Sequence, residues 1–163
     1  MADAPVHVFT SASLAYLDRA RVLAEGLRRQ HPDWRLWLCL VDRPPPGFRF
    51  DPGEEPFDHV LSVESLGIDE HRRWLFGHDV VEACTAVKGA MLLHLLEAGA
   101  QRVLYLDPDI AVFAPLTPAI ALLDEADIVL TPHLLTPEAS PSGVLDNEIG
   151  ALKAALAEAQ ARF

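Results

Sequence analysis

The chain has 163 residues, half of them hydrophobic, which suits a single packed domain and excludes disorder over most of the length. Thirteen basic against 24 acidic residues give a net charge of -11. That balance excludes a general nucleic-acid binder and a protein docked on anionic lipid, since both draw on surplus Lys and Arg.

The first apolar run, Val6–Phe9, reads as a buried strand that stops at Thr10-Ser11-Ala12-Ser13. A helix follows over Leu14–Gln30, with Ser13 as N-cap and Leu17, Ala20, Ala24 and Leu27 at helical spacing. His31-Pro32 ends it. Arg35–Val41 is a second buried strand. Arg43–Asp58 holds five prolines and two glycines and is a loop. His59–Val63 is a third short strand, and Leu66–Gly77 carries at least one helical turn. Asp79–Ala98 is a long helix: Asp79 caps it, Val81, Cys84, Val87, Met91 and Leu95 make one stripe, and Gly99 stands at C′. Arg102–Leu106 is a fourth strand and runs into Asp107-Pro108-Asp109. Ile110–Phe113 is a short extended piece, and Thr117-Pro118 opens a short helix to Leu123. Asp127–Thr131 reads as a fifth strand, Pro132–Gly143 as a loop, and Glu148–Arg162 as a last helix capped by Asp146. Short apolar strands alternating with helices predict an α/β, Rossmann-like, mostly parallel sheet with helices on both faces.

In such sheets ligands bind beyond the carboxyl ends of the strands. Three ends therefore stand out: Thr10-Ser11, Asp107-Pro108-Asp109 and Thr131-Pro132-His133. The second is the sharpest. Two carboxylates one residue apart can face one place if the chain turns, and Pro108 stiffens that turn. Uncompensated, they repel; a divalent cation relieves the repulsion, and Mg²⁺ and Mn²⁺ favour such oxygen ligands together with water and phosphate. The charge distribution agrees, because residues 103–163 hold nine acids against Lys153 and Arg162 alone. A solvated acidic turn is the competing reading. Lys88 is one of two lysines beside eleven arginines, and it lies one helical turn after Thr85. It suits an anion contact or a snorkelling surface position equally well.

Cys39 and Cys84 lie inside apolar runs, which fits reduced thiols. No basic stretch leading into an apolar core opens the chain, and no run of about 18 apolar residues occurs. The expected location is cytoplasmic, with no transmembrane segment. No Cys-x-x-Cys or His-x-x-x-His pair suggests structural zinc. No Gly-rich phosphate loop suggests an ATPase or a dinucleotide dehydrogenase.

Tyr105-Leu106-Asp107-Pro108-Asp109-Ile110-Ala111-Val112-Phe113 resembles the DXD segment of GT-A-fold glycosyltransferases, in particular family-8-like enzymes and bacterial nucleotide-diphospho-sugar transferases. Two further segments agree in order and element. Phe9-Thr10-Ser11-Ala12-Ser13, with Tyr16-Leu17 and Ala20-Arg21, resembles the first strand and helix of that family. Glu82 with Cys84-Thr85-Ala86-Val87-Lys88 resembles the helix before the DXD strand. The resemblance covers residues 6–137. It implies that Asp107 and Asp109 hold Mn²⁺ or Mg²⁺ on the diphosphate of a sugar nucleotide, a UDP-sugar foremost. It also implies that Thr10 and Ser11 lie against the nucleoside, and that Asp107 and Lys88 reach the donor.

The chain is short against that family. No Gly-Tyr-Asn-like segment and no metal-completing His can be placed in it, and Gly89 stands where relatives carry Pro. The resemblance thus implies a single nucleotide-sugar-binding domain over residues 1–163, truncated at its C-terminus or completed by a partner chain or a second copy. The third metal ligand and the acceptor stay unassigned. A non-catalytic nucleotide-sugar-binding remnant is the alternative. A haloacid-dehalogenase-like phosphotransferase is a third reading, with the first Asp of Asp-x-Asp as nucleophile. That pattern calls for Thr where this chain has Ala111, and it comes from the first strand of its fold, not the fourth.

Overall fold

The computed structural model describes residues 4–51 and 53–131. The chain divides into two compact units, residues 1–127 and 128–163. The expected loop at 132–143 with His133, the Asp146 cap and the helix at 148–162 lie outside the described residues.

The first unit is built on four strands, β1 (Val6–Ala12), β2 (Arg35–Leu40), β3 (His59–Ser62) and β4 (Arg102–Tyr105). They form one all-parallel sheet in the order β3-β2-β1-β4. The sequence dictates this through its period-two pattern. Along β1, Val6, Val8 and Ala12 enter one hydrophobic cluster and Phe9 enters another. Along β2, Leu36 and Leu38 join the first, while Cys39, and Val41 just beyond the strand, join the second. Both faces of the sheet are therefore apolar and both need a cover.

Helix α1 (Leu17–Gln30) covers one face with Leu17, Ala20, Leu23, Ala24 and Leu27, all buried. Helix α3 (Val80–Glu97) covers the other with Ala83, Val87, Met91 and Leu95. Between β3 and α3 lies the short helix α2 (His71–Phe76), and after β4 comes α4 (Thr117–Ala121), whose Ile120 reaches the first cluster. The α/β architecture read from the sequence is the observed one.

Three local expectations need correction. The segment 14–30 is not one helix: Leu14–Tyr16 is a 3-10 turn, and Ser13 makes no side-chain cap bond. The Asp42 carboxylate, from the end of β2, accepts from the Leu14 N–H at 2.7 Å instead. A cap supplied from 28 residues away leaves no local trace in sequence. Second, residues 127–131 form no strand. The apolar run Ile128-Val129-Leu130 fits a strand, but a strand exists only where a neighbour completes its ladder, and no described residue does. Third, β1 continues to Ala12, which pairs with Leu40, so Thr10 and Ser11 lie within the strand and not beyond it.

The connection from β2 to β3 contains no regular element among its described residues, as its prolines require. Side chains of α1 hold it in place. Arg21 pairs with Glu55 at 2.6 Å, and Arg28 pairs with Asp58 at 2.6 Å. Phe57 is buried in the first cluster.

Candidate functional site

The strand order fixes where a ligand can sit. From β1 the sheet grows through β2 to β3, and the chain then crosses back to place β4 on the free side of β1. The reversal opens a crevice between β1 and β4 at their carboxyl ends. A cleft of about 280 Å³ lies there, lined by Ser11, Ser13, Tyr16, Val80, Val81, Cys84, Lys88, Tyr105, Asp107 and Asp109 among others.

Each polar group is placed by a different element. Phe9 and Tyr105 are register partners on β1 and β4, and their rings meet at 5.0 Å. This seats Tyr105 at the floor of the cleft. Its hydroxyl donates to Asp107 Oδ1 at 2.6 Å and lies 3.4 Å from Ser11 Oγ. Ser11 Oγ donates in turn to the Cys84 carbonyl at 2.6 Å, tying β1 to α3. Asp79 caps α3 with a full capping box, its carboxylate taking the Val81 and Glu82 N–H groups at 2.8 Å each. Two turns on, Lys88 reaches down to the same Asp107 Oδ1 at 3.2 Å, with its ammonium 4.2 Å from the centre of the Tyr105 ring.

The electrostatics follow from these contacts. The Tyr105 hydroxyl holds the Asp107 carboxyl below the usual carboxylate range; partial burial opposes this and Lys88 reinforces it. Burial, and then the hydrogen bond to Asp107, push the Tyr105 phenol above its ordinary value, so it keeps its proton and acts as a donor. Burial also raises the Cys84 thiol, as does the Asp42 charge, and the thiol stays protonated at neutral pH.

Four of the residues expected from sequence, Ser11, Lys88, Asp107 and Asp109, meet at this cleft. Thr10 does not line it. Strand alternation turns Thr10 to the opposite face from Ser11, where its hydroxyl is buried without a hydrogen-bond partner. The residue that sequence reading passed over is Tyr105. It was visible only as part of the DXD segment, and its link to Ser11, Lys88 and Asp107 depends on the β1–β4 register.

Oxygen donors of this kind suit a hard divalent cation. Asp107 Oδ1 is engaged by Lys88 and Tyr105, and Asp109 lines the same cleft. Among the described residues no group of three candidate metal ligands occurs. Two carboxylates one residue apart could hold a cation only together with water or ligand oxygens. No protein-family model matches the chain, and no curated protein matches it in sequence. No helix among the described residues is long and apolar enough to cross a membrane.

Proposed function

We propose that the chain binds a nucleoside-diphosphate sugar in the crevice between β1 and β4, as a glycosyltransferase that moves the sugar to an acceptor. The observation that supports this reading is the meeting of Ser11, Lys88, Asp107 and Asp109 at the strand-order reversal of a parallel sheet. There, Val80, Val81 and Tyr16 offer apolar wall, and Lys88 offers a cation for an anionic group. Sugar transfer breaks the anomeric C–O bond, and negative charge grows on the departing diphosphate. A divalent cation bound by Asp107 and Asp109 would neutralise that growing charge. The work of the chain's own residues is placement: Tyr105 fixes the Asp107 carboxylate, and the sheet register fixes Tyr105 relative to Ser11. A cytoplasmic location, where sugar nucleotides and reduced thiols coexist, belongs to the same proposal.

The test is thermal stabilisation of the chain by UDP-, GDP- and dTDP-sugars with and without Mn²⁺. A shift that depends on Mn²⁺ and disappears in Asp109→Asn is expected. No such shift with any donor refutes the reading. A donor-binding protein without catalysis is the second reading. It predicts the same shift with no hydrolysis or transfer, and turnover by the chain overturns it.

A further inference from the structure

Asp107 has a feature that a metal-binding carboxylate alone does not require. One of its oxygens already receives a full positive charge from within the chain. Lys88 Nζ lies 3.2 Å from Oδ1, and the Tyr105 hydroxyl donates to the same atom. The Tyr105 ring beneath the ammonium gives Lys88 a second reason to stay, through cation–π attraction. Among the described residues Lys88 is also the one lysine or arginine that lines the cleft. In a chain of net charge -11, the cleft is thus partly neutralised by a residue of its own.

We propose that Lys88 is a resident counter-ion of Asp107, whose hold on the carboxylate a divalent cation weakens, and which is thereby released to the anionic part of the donor. This rests on the proposed function and adds a coupling to it. Two positive charges held by one carboxylate repel each other, so a divalent cation on Oδ2 weakens the Lys88–Asp107 pair on Oδ1. The freed ammonium then seeks another negative partner in the same cleft. Anything anionic bound there holds Lys88 away from Asp107 and so strengthens the hold on the cation. By linkage the reverse is equally true, and cation and anion each raise the other's affinity. Asp109 has no such partner among the described residues, so the competition acts through Asp107 alone.

Binding of Mn²⁺ alone to the full chain, read from the electron paramagnetic resonance signal of the free ion, tests the first half. Lys88→Met should bind Mn²⁺ about fivefold more tightly or better. Arg29→Gln removes the same charge from an exposed i,i+4 pair with Glu25 and should leave binding unchanged. The second readout needs no variant. The chain has two lysines, and Lys153 serves as internal reference. Mn²⁺ should raise the acetylation rate of Lys88 relative to Lys153, measured by peptide mass spectrometry. This readout also decides the matter if Lys88→Met folds poorly. Equal Mn²⁺ affinity in Lys88→Met and the parent chain, or Lys88 labelling that Mn²⁺ does not raise, overturns the counter-ion role while leaving the cation site standing. Absence of Mn²⁺ binding in every variant removes the cation site and the counter-ion role together.

Discussion

Tyr105→Phe removes one atom at the centre of the cleft and keeps the ring that packs on Phe9 and lies beneath Lys88. What is lost is the 2.6 Å bond to Asp107. A hydrogen bond to a charged acceptor contributes about 1.5–3 kcal/mol where water is excluded. The Asp107 side chain is 57% exposed, so solvent screens the bond and about 1 kcal/mol is the reasonable magnitude. Urea denaturation of the parent chain, Tyr105→Phe, Asp107→Ala and the double variant isolates the pair term as a double-mutant cycle. The sign with pH is fixed. The folded Asp107 pKa lies below its unfolded value, so its contribution is complete above the unfolded value of about 4 and is lost as pH falls through the folded one. The coupling should be about 1 kcal/mol at pH 7 and shrink as pH falls below about 4. A coupling near zero at pH 7, or one equally large below pH 3, would refute the reasoning.

Asp58 joins three elements: its carboxylate accepts from the Leu36 N–H at 2.6 Å, pairs with Arg28 at 2.6 Å and lies 3.8 Å from Arg35. Burial alone would raise its pKa, but the Leu36 N–H and the two guanidiniums outweigh burial and lower it. Asp58→Ala should cost about 2 kcal/mol at pH 7 by thermal or urea melts, and the deficit should fade in acid below about pH 4. Asp79→Ala should cost about 1 kcal/mol by loss of the α3 cap, read as a lower melting temperature. Burial pushes the Cys39 thiol up to about 12, so Cys39 should resist thiol reagents at pH 8 in the folded chain and react on denaturation. Fast native labelling of Cys39 would contradict its burial in the sheet.

The sheet was legible in the sequence because buried parallel strands leave short apolar runs, and Val6–Phe9, Arg35–Val41 and Arg102–Leu106 each occupy one. The α3 cap was legible because Asp79 and Glu82 form their box three residues apart. Strand order was not, since no local signal says that β4 pairs with β1 rather than with β3. The cleft inherits that limit. Ser11, Lys88, Asp107 and Asp109 could each be chosen from their residue type and place. Tyr105 could not, since its part comes from a hydroxyl that meets residues 94 positions and two positions away. Thr10 shows the converse: adjacent to Ser11 in the chain, it is turned to the other face by the strand's own alternation.

The most direct measurement on the central claim is donor binding by the chain and by Asp109→Asn, titrated with UDP-glucose in the presence and absence of Mn²⁺. Binding that needs Mn²⁺ and is lost in the variant is the predicted result. Binding that ignores both, or no binding of any sugar nucleotide, would contradict a donor site between β1 and β4.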